Sequence, residues 1–243
     1  MSADERQTPD IGESAGPDDE LIIETTGIWE DPLDEGLDPH HADDLVVARC
    51  GKPRGKLKVY VHADALERIH GHVSGETKNE VGGVLVGHRY LCRNRPVTDV
   101  RDVLEAPGTQ SGVSHVTFSH DTWAAILNKV DEDAKGSIVG WYHSHPGFGV
   151  FFSRQDTFIQ ENFFDSDGHV ALVIDPIRSK IGAFTWQIRR GERSLRPAGG
   201  FWVTAGSQEP GRAEEMARRL GYEITRGGKK RRRWFFGLFG RSG

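Results

Sequence analysis

Gly136-Ser137-Ile138-Val139-Gly140-Trp141-Tyr142-His143-Ser144-His145-Pro146 is the stretch on which the reading of this chain turns. A short apolar run bounded by glycine on one side and proline on the other predicts a buried strand. The proline has no N–H to give to a ladder, so the strand ends at the histidines. Side chains at i and i+2 of an extended strand leave the same face, so His143 and His145 aim two imidazoles at one point. A catalytic zinc takes three protein ligands and keeps a fourth position open, so such a site requires a third ligand.

Downstream, the Gly147-Phe148-Gly149 loop leads to Ser153-Arg154-Gln155-Asp156. This has the form of a capping box and predicts a helix to about Phe164. Asp156 falls in the first turn, near enough to the histidines to complete a His, His, Asp set. A serine with an acid three residues on is also an ordinary helix start, so a plain capping role stands beside the ligand role. Further on, Val170 to Asp175 and Ile181 to Arg189 read as strands.

Upstream, Leu57-Lys58-Val59-Tyr60-Val61 alternates as a strand does, and residues 63–72 place Leu66, Ile69 and His70 at helical spacing, continued by Val73. Val81 to Arg89 reads as a buried, glycine-containing strand, followed by one over Val97 to Leu104. Residues 116–119 predict a short strand and Asp121 to Val130 a helix. Strands interleaved with helices predict a mixed α/β domain over about residues 56–200. A short helix is expected over Glu214 to Leu220.

Charge separates the ends from the middle. Residues 1–45 hold fifteen Asp or Glu against the single Arg6, whereas residues 226–243 hold seven Lys or Arg and no acid. The first stretch buries too little apolar surface to offset ordering entropy, so 1–45 is expected to be an acidic disordered tail. Its exception is the apolar island Leu21 to Trp29. The last stretch, within a C-terminal extension over 201–243, joins Lys229 to Arg233 with Trp234-Phe235-Phe236-Gly237-Leu238-Phe239. Residues 229–239 therefore suit docking to an anionic membrane surface or to a protein. No specific nucleic acid is expected. Cys50 and Cys92 form no CxxC pair, no signal region opens the chain and no run approaches a membrane span. A cytoplasmic protein, peripheral at a membrane surface where its tail docks there, is the expectation.

The spacing His143-Ser144-His145, seven residues, Ser153, two residues, Asp156 resembles the JAMM motif at every fixed position. Glu80-Val81-Gly82-Gly83 resembles its upstream element. Val139 to Gly149 and Val173 to Ser179 are similar to the deubiquitinating subunits of the proteasome lid and the signalosome. The resemblance spans about residues 57–190. It implies a single JAMM/MPN+ metalloprotease domain with a curved mixed sheet flanked by helices. It also implies one zinc ion with a bound water, held by His143, His145 and Asp156. Glu80 matches the family's general base and Ser153 its oxyanion-stabilising serine. HExxH and deaminase zinc signatures are missing.

What this implies about activity is amide or isopeptide hydrolysis at the C-terminus of ubiquitin or a ubiquitin-like protein, the tail lying along a sheet edge. Two alternatives stand beside it: an amidase acting on sulfur-carrier-protein adducts or small peptides, and a partner-dependent scaffold. The short stretch after Asp156 argues against a dedicated chain-linkage pocket, and residues 105–115 and 147–152 are the expected loops over the cleft.

Overall fold

The computed structural model describes residues 33–106, 136–209 and 211–221, together with Ile126, Asn128 and Lys129. The expected strand 116–119, most of the helix over 121–130, the apolar island 21–29 and the tail 229–239 lie outside the described residues.

Among the described residues nine strands form one mixed sheet: β1 (Leu45–Gly51), β2 (Lys58–His62), β3 (Gly82–Cys92), β4 (Arg95–Glu105), β5 (Ser137–Ser144), β6 (Val170–Asp175), β7 (Lys180–Arg189), β8 (Glu192–Pro197) and β9 (Gly200–Gly206). Their spatial order is β1-β9-β2-β4-β3-β5-β6-β7-β8. The sheet curls: beyond β8, the Ala198 amide donates to the Ala183 carbonyl of β7, and the Arg54 amide donates to the Ala198 carbonyl. Among the described residues three continuous α-helices accompany it, α1 (Ala63–Gly75), α2 (Arg154–Phe163) and α3 (Arg212–Arg219).

β5 is central, antiparallel to β3 and parallel to β6. That position explains why seven of its eight residues are buried, as expected of a strand covered on both faces. A parallel pair needs a long crossover, and α2 lies within the connection from β5 to β6. The β3–β4 hairpin turns on Arg93-Asn94, whose φ values of 51° and 60° are those of a two-residue type I′ turn.

Alternation along β5 divides its neighbours. The Tyr142 hydroxyl meets His72 Nδ1 of α1 at 2.9 Å, whereas the Trp141 indole donates to Gln160 of α2 at 2.9 Å. On the α1 side, Leu66, Ile69 and Val73 join Leu85, Val100, Val139, Leu172 and Phe201 in the main core. Ala213, Met216 and Ala217 bring α3 into the same cluster.

Gly140 is the tightest point of the central pair. Its φ is 152°, and a Cβ there would run into the Val170 carbonyl oxygen of β6. Gly140→Ala is therefore expected to cost about 1–3 kcal/mol through forced separation of β5 and β6. A urea unfolding midpoint unchanged from the parent would refute this.

The sheet extends past the expected limits of 56–200 at both ends. β1 pairs with β9 over seven residues, and β9 also pairs with β2. Residues 33–45 belong to the fold, contrary to their inclusion in a disordered tail. Asp38 caps a short 3-10 turn, Pro39–His41, and accepts from Lys58 Nζ at 2.7 Å and from the Tyr60 hydroxyl at 2.8 Å. His40 packs edge-on against Tyr60 and Trp202. Burial opposes ionisation of Asp38, but these donors outweigh it and bring its pKa to about 2. Composition misled here because a few specific contacts anchor a segment that is otherwise acidic. β8, with half-buried or exposed residues throughout, carries too weak a pattern to be read from sequence.

Among the described residues no helix is long and apolar enough to cross a membrane. Both cysteines are free and buried.

Candidate active site

The edge of β5 brings the first two candidate ligands to one place. His143 is the penultimate residue of the strand. His145 lies just beyond it, yet its amide still donates to the Ile174 carbonyl of β6 at 2.7 Å. The extended backbone thus continues through the pair, and the two rings lie 4.7 Å apart between centroids. Trp141, two residues earlier on the same face, stacks on His143 at 4.4 Å and 16°. Gln160 of α2 holds that indole and also donates to the Phe164 carbonyl.

Asp156 arrives from the first turn of α2. Ser153 Oγ accepts from the Asp156 amide at 3.1 Å, and Asp156 Oδ2 accepts from the Ser153 amide at 2.6 Å, a complete capping box. The two sequence readings of Asp156 are compatible, because the capped carboxylate also faces the histidines. Its Oδ1 lies 3.3 Å from His143 Nε2 and its Oδ2 lies 3.5 Å from His145 Nε2. Glu80 Oε1 is 3.7 Å from His145 Nε2. All four side chains predicted to converge do so, and Ser153 stands at the helix start beside them.

The donor set fits a small divalent ion. His143, His145 and Asp156 each offer one atom, all within 4.8 Å of one another. A tetrahedral centre with roughly 2.0–2.1 Å bonds has ligand–ligand edges of about 3.3 Å, close to the observed separations. Both ring nitrogens of His143 are buried without a well-formed hydrogen bond, which is unusual for buried polar atoms. Two imidazoles and a carboxylate suit zinc.

Burial and the neighbouring charges act differently on the three groups. Burial disfavours charge on His143 and lowers its pKa despite Asp156. Burial also acts against Asp156, but the two histidines and the Ser153 amide hold its carboxyl far below the ordinary range. For His145, burial is outweighed by Asp156 and Glu80, and its pKa rises.

Asp175, the last residue of β6, ties the 147–149 loop to the turn that follows β6. It accepts from the amides of Gly147, Gly149, Ile177 and Arg178 at 2.8–3.1 Å and from the Arg178 guanidinium at 2.9 Å. Arg178 also donates to the Gly147 carbonyl. Phe148 and Ile177 project from these two segments, 75% and 59% exposed. Asp-Pro favours a turn start, a signal for the bonds to Ile177 and Arg178. Nothing in sequence points to the bonds across to Gly147 and Gly149.

Burial opposes the charge on Asp175, yet Arg178 and the amides bring its pKa to about 2. The folded value lies below the unfolded one of about 3.9. Its stabilisation is therefore full above about pH 4 and is lost as pH falls through about 2. Relative to Asp175→Asn, the parent is expected to lose on the order of 1–2 kcal/mol across that window. Unfolding curves with the same pH slope for both proteins would contradict this.

A mixed sheet whose central strand ends in a His-Ser-His pair, closed by a capped aspartate and an upstream glutamate, defines the class. Residues 54–167, just under half of the chain, match the family described as JAB1/Mov34/MPN/PAD-1 ubiquitin protease and form a single MPN domain. It is 31% identical over 137 residues to the ubiquitin carboxyl-terminal hydrolase RPN11 of Saccharomyces cerevisiae, covering 56% of this chain and 44% of that protein. It is 38% identical over 119 residues to the NAD(+) hydrolase TcpA of a Theionarchaea archaeon, covering 49% and 34%. It is 31% identical over 156 residues to COP9 signalosome complex subunit 5 of Debaryomyces hansenii, covering 58% and 32%. The chain thus spans less than half the length of each of these relatives.

Proposed function

We propose that this chain is a zinc-dependent hydrolase of amide or isopeptide bonds at the C-terminus of ubiquitin or a ubiquitin-like protein. The observation that carries the reading is the convergence of Glu80 on the His143, His145 and Asp156 cluster. A scaffold would have no need of a carboxylate aimed at its metal ligands. The name of the yeast relative, a ubiquitin carboxyl-terminal hydrolase, supports the substrate class.

His143, His145 and Asp156 would hold the zinc. When bound, zinc supplies Lewis-acid polarisation of a carbonyl and acidifies water. Glu80 takes the proton of the attacking water at its carboxylate and passes it to the leaving amine. Ser153 donates its hydroxyl proton towards the oxygen on which negative charge develops. The Asp175 clamp keeps the 147–149 loop in one shape, and Phe151, whose ring lies 4.6 Å from that of His145, shields one side of the cleft from water.

The test is mass spectrometry of ubiquitin joined through its terminal glycine to a lysine side chain, incubated with zinc-loaded protein with and without a chelator. Cleavage after that glycine, abolished by the chelator, is the expected result. Intact conjugate in the presence of one bound zinc would overturn the substrate assignment and favour the sulfur-carrier or small-peptide amidase reading.

A further inference from the structure

Ser144, between the two histidines, is fully buried on the strand face opposite theirs. Its amide donates to the Val81 carbonyl at 2.8 Å. In an antiparallel pair the return bond would run from the Val81 amide to the backbone carbonyl of the opposed residue. Here the Val81 amide donates instead to Ser144 Oγ at 3.0 Å. Regular pairing of β3 with β5 begins one residue later, at Gly82 with His143. Beyond Ser144 the chain turns to β6 through His145 and to Pro146. The hydroxyl therefore replaces a ladder carbonyl where β5 leaves its partner, and the residue it grips adjoins Glu80.

We infer that Ser144 is a positioning residue for Glu80. Its hydroxyl fixes the Val81 amide and so fixes the direction in which the Glu80 carboxylate leaves the chain. The inference rests on the hydrolase reading for its catalytic consequence, but the clamp itself is independent of any substrate. Alanine removes the acceptor and leaves a buried amide unpaired, whereas threonine keeps an oxygen at the same place. A small displacement of a catalytic group costs up to about 100-fold in rate.

The experiment compares the full chain with Ser144→Ala, Ser144→Thr, Glu80→Gln and the Glu80→Gln/Ser144→Ala double variant, each loaded with zinc. Three quantities are read: bound zinc, hydrogen exchange at the Val81 amide, and kcat and KM on the ubiquitin–lysine conjugate. Ser144→Ala is expected to speed Val81 exchange at least about tenfold and to retain one zinc. It is expected to lower kcat about 10- to 100-fold with KM unchanged. Ser144→Thr is expected to restore both exchange and kcat to within about threefold of the parent. In the Glu80→Gln background, Ser144→Ala should lower kcat no further, because the hydroxyl acts through that carboxylate.

Val81 exchange that does not respond to Ser144→Ala, or a threonine variant that behaves like alanine, overturns the clamp. Loss of zinc together with activity overturns its role towards Glu80, since the damage then lies in the ligands. If the parent itself leaves the conjugate intact, the substrate reading fails, while exchange and zinc content still decide the clamp.

Discussion

Glu80→Gln is expected to lower kcat for amide cleavage by about 10²- to 10⁴-fold while one zinc stays bound per chain. The glutamate is not among the three residues whose donor atoms cluster within 4.8 Å. Its Oε1 sits 3.7 Å from His145 Nε2 at the margin of that cluster, and its side chain retains 19% exposure. A carboxylate placed this way would be in reach of a water on a metal held by that cluster, and an amide of the same shape could not take a proton from it. Loss should fall on kcat, because the carboxylate acts on the proton in flight and does not hold the substrate. Zinc content measured alongside the rate separates the roles. Lost activity with retained metal supports the base assignment, and lost activity with lost metal would make Glu80 a ligand.

Asp156→Asn is expected to weaken zinc binding by more than about 100-fold and to abolish detectable cleavage. The choice of asparagine isolates the ligand role. Its side-chain oxygen still accepts from the Ser153 amide, and its own amide still donates to Ser153 Oγ, so the cap that starts α2 survives. The neutral amide loses the charge that complements both imidazoles and any divalent ion. Competition titration against a chromophoric chelator reads the affinity, and a thermal melt reads the fold. An asparagine variant that binds zinc like the parent would return Asp156 to a purely capping role.

Much of this architecture is legible in the chain because local chemistry and tertiary placement agree. The apolar run before His143 is a buried strand, the serine and aspartate of 153–156 do form a capping box, and α1 buries Leu66, Ile69 and Val73 as their spacing requires. β1, β8 and β9 are different. Leu45 to Gly51 follows an acidic stretch that masks it, Glu192 to Pro197 is polar, and Gly200 to Gly206 follows an Ala-Gly-Gly sequence. β1 and β9 become strands by pairing with distant partners, which no local window contains, whereas β8 folds back on β7 in a tight hairpin with Arg189 opposite Glu192. The docking of residues 33–41 likewise depends on Lys58 and Tyr60 presenting donors to Asp38.

The sequence alone determined which side chains gather at the candidate site. Spacing two along a strand puts His143 and His145 on one face, a capping box sets Asp156 at a helix start, and the motif points to Glu80 and Ser153. Only the tertiary structure decided the distances among them, since Glu80 and His145 meet by the pairing of β3 with β5 and Asp156 meets both histidines by the return through α2. It also brought in groups with no local signal: the Ser144 hydroxyl on the Val81 amide, and the Asp175 carboxylate on the 147–149 loop. The physical reason is that periodicity and capping act within a few residues, whereas a buried hydrogen bond between distant segments depends on register, and register is set by the whole sheet.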